Sequence, residues 1–283
     1  MRVGRIKKLC VHLINKTKKR KLEMKKTISL ILASLVFPAL SQTAIAADDK
    51  IQQILDRGTI RVCHAEAMPW GIKDPASGDW IGTDINSAKH LAETMGVKIE
   101  HVDSTWGTLI PSLETDKCDI VMAPLFRTSE RALRVLFSDP SGYETQGVAV
   151  LESSGIKSYD DLDQTGMTVG VISGTADEAF ANRFFMKATV KALVTDKVST
   201  LGLEVANGRV DGFLTDSSTL RGIIGTNPAM KLTTLEEKNP LNPQGYSYAL
   251  AKGEYDFLHF VNVWQINLSQ TGLKEQWYAE FTK

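Results

Sequence analysis

Residues 113–124 read LETDKCDIVMAP and residues 204–216 read EVANGRVDGFLTD. Both run from a helix end through a polar turn with a basic residue to an aspartate, then into an apolar strand. Two copies of one plan predict two similar α/β lobes. Outward from the first copy, 60–63 reads as a strand. Asp84 opens a helix whose apolar Ile85, Ala88, Leu91, Ala92 and Met95 fall at helical spacing until Gly96 stops it. Residues 97–102 alternate as a strand, Leu109, Ile110 and Leu113 mark a short helix, and 119–123 reads as a buried strand. Around the second copy the order is strand 168–172, helix 176–186, strand 190–194, helix 200–206, strand 210–215 and helix 217–224. Strands alternating with helices imply parallel sheets with crossovers.

The tail after the second copy holds one strand, 246–251, and two helices, too little for a domain of its own. It most simply returns to complete the first lobe. The chain therefore crosses between the lobes twice, first near 142–146 and again near 245. The expected organisation is a leader over 1–46, a first lobe of 47–143 plus 245–283, and a second lobe of 144–244. Ligands of open α/β sheets sit at the C-terminal ends of the strands, which places the expected cleft between the lobes.

The 33 Lys+Arg balance the 33 Asp+Glu, but eleven of the bases and one acid fall in residues 1–46. The remaining 237 residues carry 22 bases and 32 acids, a net of −10, which argues against a nucleic-acid partner. A chain that is 43% hydrophobic and 23% charged is globular. Met24-Lys25-Lys26 is a basic n-region, 28–40 is an apolar run of 13 residues, and Ala44-Ile45-Ala46 is a small-x-small site. This reads as a secretory signal peptide cleaved after Ala46, since a membrane span needs about 20 apolar residues. No Cys follows the run to carry a lipid. Met24 alone opens a complete signal, so 1–23 is either an upstream start or an extended n-region. Cys10 leaves with the leader, and Cys63 and Cys118 remain for an oxidising compartment. They are two buried thiols or a disulfide. Doubly wound sheets set the first and third strands side by side, and this predicts a Cys63–Cys118 bridge.

Seven segments carry a resemblance: LDRGTIRVC (55–63), GDWIGTDINSAKHLAETMGV (78–97), GTLIPSLETDKCDIVMAP (107–124), RTSERALRVLFSDP (127–140), SYDDL (158–162), VGVISGTADEAFA (169–181) and GRVDGFLTD (208–216). In this order, behind a signal peptide, they resemble the bacterial solute-binding proteins of family 3, which serve polar amino acid ABC transporters. The resemblance covers essentially all of 50–283. It implies the type 2 periplasmic binding protein fold, two Rossmann-like α/β lobes joined by two hinge strands that close on a ligand. It also implies a periplasmic monomer without cofactor, a small carboxylated ligand, and a membrane ABC permease as partner.

Arg131 matches the arginine that clamps the ligand carboxylate, for which a guanidinium supplies two parallel charge-assisted bonds. The bland alternative is a surface arginine, a role that better suits Arg134, expected to pair with Glu130. Asp216 matches the aspartate that receives the ligand ammonium, and it is equally placed to cap the next helix. Gly174 and Thr175 open a helix whose backbone N–H groups attract anions; Thr175 is either a carboxylate contact or a plain cap, or both. Trp106 falls where the family stacks an aromatic on the ligand, and Trp70 falls near the cleft, against core packing as the alternative for each. Trp264 and Trp277 read as core. Members usually carry an acid or small polar residue where this chain has His64, and a Ser or Thr near Phe126 and Ala176. The expected pocket therefore gains aromatic surface and loses donors, which suits a bulkier, more apolar or non-amino-acid ligand. Glu66, in the same loop as His64, is either a cation contact or solvated.

Among other functions on this fold, a cyclohexadienyl dehydratase would need a cleft carboxyl as acid, here Glu66, Asp177 or Glu178, with Arg131 holding substrate. General acid work needs a carboxyl protonated near neutral pH, whereas acids at the start of helix 176–186 sit where the dipole lowers their pKa. An accessory protein of a periplasmic redox enzyme is the third class. HExxH, CxxC, P-loop and G-x-S-x-G motifs are absent, and the five His residues form no metal pair at helical spacing.

Overall fold

Helix α1 (Lys50–Arg57) ends at Gly58, whose left-handed φ of 66° turns the chain into strand β1 (Thr59–His64). The computed structural model describes residues 49–195, 197–236 and 238–282; the leader and its cleavage site lie outside them. A short hairpin, β2 (Ile72–Lys73) and β3 (Trp80–Ile81), leads to α2 (Thr83–Met95), which Gly96 stops as expected, and then to β4 (Lys98–Asp103). Helix α3 (Leu109–Glu114) precedes the fully buried β5 (Ile120–Phe126), followed by α4 (Ser129–Ala132) and β6 (Val135–Phe137). A ten-residue strand, β7 (Gly142–Leu151), crosses into the second half and continues through α5 (Tyr159–Leu162), β8 (Thr168–Ile172), α6 (Ala176–Phe184) and β9 (Thr189–Leu193). Then come α7 (Thr200–Ala206), β10 (Gly212–Asp216), α8 (Ser217–Thr226) and β11 (Leu232–Leu235). Strand β12 (Leu241–Ala251) returns, and α9 (Tyr255–Thr271) and α10 (Leu273–Glu280) follow it.

The sheet order β4-β1-β5-β12-β7-β10-β8-β9 contains the same unit twice. In one half β1 lies between β4 and β5, all parallel, and in the other β8 lies between β9 and β10, again parallel. Each parallel trio ends on an antiparallel long strand, β12 beside β5 and β7 beside β10. The short strands match too: β6 pairs with β12, and β11 with β7. The two long strands pair with each other only over 142–146 and 241–246, leaving their later residues to opposite halves.

The repeated aspartates do the same work in both halves. Asp119 donates its N–H to the Arg61 carbonyl at 2.9 Å and accepts the Arg61 N–H at 2.8 Å. Asp211 does this with Thr168 at 2.9 and 2.7 Å. Each thus staples the start of the third strand of its trio to the first. Asp119 goes further: its carboxylate is fully buried, pairs with Arg61 at 2.7 Å and with Arg57, and lies 3.9 Å from Lys50. Asp116 joins from the surface, bonded to Lys50 and Arg61 at 2.9 Å each.

Apolar cores flank the sheet. One includes Ile60, Val62, Ile120 and Met122 under Phe257, Val261 and Trp264, so the tail helices do pack on the first trio, with Trp277 at the edge of this core. Cys63 and Cys118 sit in a second core with Leu109, Leu113 and Val121, and they are bonded, with Cα atoms 5.7 Å apart. The second half has its own pair, around Val148, Val169 and Leu214, and around Leu201, Val205 and Phe213. One expectation fails: Arg134 pairs with Glu114, not Glu130. Helix α4 ends at Ala132, so no i,i+4 geometry exists there.

Asp119→Ala should destabilise the protein by about 3–5 kcal/mol in urea unfolding, because it strands buried cations and an N–H. Breaking the exposed Arg134–Glu114 pair should leave the unfolding midpoint nearly unchanged. The disulfide closes a separation of 55 residues. Cys63→Ser with Cys118→Ser should lower stability by roughly 2–4 kcal/mol, and non-reduced, denatured wild-type protein should expose no alkylatable thiol from this pair.

Candidate functional site

The C-terminal ends of β1, β4, β5, β8 and β10 converge on one recess. Phe126 ends β5, Ile172 ends β8, and Thr215 and Asp216 end β10, while Ala67 and Trp106 come from the loops after β1 and β4. Arg131 of α4 and Thr175, Ala176 and Asp177 at the start of α6 complete it. The enclosed space is about 20 Å³, room for about one water. A larger molecule enters only when the walls separate.

Arg131 spans the recess. Its Nη1 donates to the Phe126 carbonyl at 3.0 Å and its Nη2 to the Gly174 carbonyl at 3.1 Å, joining the first half of the sheet to the second. Burial lowers its pKa to about 10, opposed by the negative charges of Asp177 and Glu130. It still carries full charge at neutral pH. Gly174 is required on two counts. Its φ is +79°, and a Cβ there would stand 2.6 Å from the Gly107 Cα of the opposite wall.

Thr175 and Asp216 each cap a helix and each line the recess. Thr175 caps α6, accepting from Glu178 N at 3.2 Å, and its hydroxyl donates to the Ile172 carbonyl at 2.7 Å; it also lines the recess. The Gly174 N–H donates to Glu178 at 2.7 Å, so the anion at this helix start is the protein's own carboxylate. Asp216 caps α8 through Thr219 N at 2.8 Å and faces the recess. Burial, and next the like charge of Asp177, push it up to about 8.

Asp177 departs from the sequence expectation. The helix dipole was to lower it, yet burial raises it to about 6 against donation from Gln146. At 8% exposure, desolvation outweighs the partial charge of a nine-residue helix. Gln146 and Asn242, which brace it, come from the two long strands, and no spacing in the sequence links them to residue 177.

Four sequence candidates are placed as follows. Trp106 lines the recess and donates Nε1–H to the Glu66 carbonyl at 3.2 Å. Trp70 is buried behind it, donating to the Tyr246 hydroxyl at 3.1 Å within a cluster that includes Phe126 and Ala176. Glu66 lines a neighbouring cavity with Met68, Ile72 and Thr219. His64 is not brought to the recess. Alternation along β1 turns it to the face opposite Cys63. There it hydrogen-bonds the Met122 carbonyl and His101, each at 2.9 Å, and packs on Trp80. Burial pulls it down to about 3, so it stays neutral. Among the described residues no cluster of three or more His, Cys, Asp or Glu is arranged for a metal, and no helix is long and apolar enough to cross a membrane.

Residues 60–283 match the family model of bacterial extracellular solute-binding proteins, family 3. The chain is 27% identical over 264 residues to a probable histidine-binding protein of Neisseria gonorrhoeae, spanning 92% of this chain and 96% of that one. It is 26% identical over 258 residues to the cyclohexadienyl dehydratase of Pseudomonas aeruginosa, spanning 89% and 94%. The crystal structure of an ancestral amino acid-binding protein, a precursor of cyclohexadienyl dehydratase, superposes with a TM-score of 0.73 at 32% identity, over 82% of this chain and 99% of that one. The fold is that of the type 2 periplasmic binding proteins.

Gly174→Ala should hold the walls apart. Small-angle scattering of the variant should give a larger radius of gyration than the wild type; superimposable curves would mean that the Gly107 contact yields to a methyl group.

Proposed function

The chain belongs to the bacterial extracellular solute-binding proteins, family 3, and from that premise we propose that it is a periplasmic receptor. It captures a small carboxylated solute, an amino acid or a close relative, and passes it to a membrane ABC permease. The observation that carries this reading is the Arg131 guanidinium, fixed across the recess between Phe126 and Gly174. A ligand carboxylate takes the place of those two carbonyls, with two charge-assisted bonds in place of two neutral acceptors. Asp216 receives the ligand ammonium, Thr175 and Gly174 flank the carboxylate, and Trp106 and Phe126 cover the side chain. Trp70 braces Phe126 from behind, and His64 stays in the first lobe's interior.

In this reading the lobes are 47–143 with 245–283, and 144–244. They rock about the paired segments 142–146 and 241–246, and closure is favoured because the ligand touches both walls only when they meet. In this reading residues 1–46 direct a monomer to the periplasm.

One observation favours the dehydratase reading: Asp177, raised to about 6, is partly protonated near neutral pH, as a general acid must be. Against it, Gln146 donates to this carboxyl, which holds it as an acceptor. The receptor is the better account.

A thermal-shift screen of amino acids, organic acids and prephenate, with turnover assayed for every stabilising compound, tests both. A ligand at a hundred times its Kd adds about 2.7 kcal/mol of stability. Arg131→Ala should abolish that shift, and Arg131→Lys should lose most of it because the planar fork is gone. Binding by Arg131→Ala at wild-type strength would overturn the carboxylate assignment, and turnover of prephenate would overturn the receptor.

A further inference from the structure

The recess holds one guanidinium and two carboxyls, those of Arg131, Asp177 and Asp216. Asp177 is 8% exposed and accepts from Gln146 Nε2, with Thr215 also favouring its ionised form. Gln146, wholly buried, has its amide set by Asn242 Nδ2, which donates to its Oε1 at 2.8 Å. Gln146 lies on β7 and Asn242 on β12. A buried chain from both long strands thus fixes Asp177 in the wall, so it cannot swing out to water. Asp216 is fixed by the start of its own helix.

The charged groups acting on this pair do not balance it. Arg131 from α4 acts on Asp177, and Glu144 from β7 adds a further negative charge near Asp216. Glu178, next to Asp177, is turned onto the Gly174 N–H. With both carboxyls ionised the lining carries a net charge of −1, in a space with room for about one water. An uncompensated buried charge of this kind is strongly unfavourable.

We propose that Asp177 and Asp216 together bind one proton in the ligand-free cleft, and that a ligand of net positive charge replaces that proton, making Asp177 the residue that sets the charge of the ligand accepted. This rests on the receptor reading above. The balance closes. The protonated pair with Arg131 is neutral; a monocation such as L-arginine enters, one proton leaves to solvent, and the closed site is neutral again. A zwitterion such as L-glutamine leaves the proton in place. The raised titration of both carboxyls agrees, since burial and their mutual repulsion favour the protonated form.

Two experiments decide this. In the ligand-free protein, ¹³C NMR of the aspartate carboxyls, assigned with Asp177→Asn and Asp216→Asn, should show one member of the pair titrating above pH 6. If both titrate below pH 5, the proposal falls whatever the ligand is. Calorimetry with L-arginine and L-glutamine in two buffers of different ionisation enthalpy should show release of close to one proton for L-arginine at pH 7 and none for L-glutamine. L-Arginine affinity should rise by up to about tenfold per pH unit below pH 8. Asp177→Asn should abolish the release and cut the preference for L-arginine at least tenfold. Equal wild-type affinity for the two probes, or a preference unchanged in Asp177→Asn, overturns the charge rule. If no amino acid binds, the receptor reading fails, while the NMR titration still decides whether the pair holds a proton.

Discussion

Everything on either side of the recess hangs on one short antiparallel contact, the pairing of 142–146 with 241–246. It is the only stretch over which the long strands β7 and β12 touch as a ladder among the described residues. Beyond it each strand commits to one trio of parallel strands. The contact also carries Gln146 and Asn242, so the segment that joins the halves is the segment that positions Asp177. A change in the pairing there would reach the recess through the buried Gln146 amide and the half-buried Asn242 amide, without any intervening loop.

Much of the fold was legible because its signals are local. Gly96 stops a helix, Asp119 and Asp211 open buried strands, and apolar spacing marks α2. The repeat was visible as two copies of a phrase, and the structure gives that phrase a physical meaning in the two backbone staples to Arg61 and Thr168. The long strands were only partly legible. Pro243 and Gly245 argue against a strand before Tyr246, yet β12 begins at Leu241 and absorbs them with a shifted register and an Asn242 at φ 46°. The recess lining was legible where residues follow closely on the strands, Asp216 at the end of one and Trp106, Arg131 and Thr175 in the segments after others. His64 misled because adjacency in sequence to the cleft loop says nothing about which face of β1 a side chain takes. Asp177 misled because burial depends on what the rest of the chain brings over it.

That last case is one of competing magnitudes. A helix start offers a carboxylate a fraction of a unit charge across its first turn. Removal from water costs it far more. Glu178, one residue further on, is turned to the Gly174 N–H, while Asp177 is buried and raised by desolvation.

The last strand made, β12, occupies the middle of the sheet between β5 and β7. Until β12 is in place two inner strand edges are therefore bare, the kind of edge that recruits other chains. The first trio has its own means of waiting. Cys63 and Cys118, and the staple from Asp119 to Arg61, lie wholly within the first third of the body, so β1 and β5 can be held in register before the strand that covers them is seated. The second trio has no covalent counterpart among the described residues, and its order rests on packing and on the staple from Asp211 to Thr168.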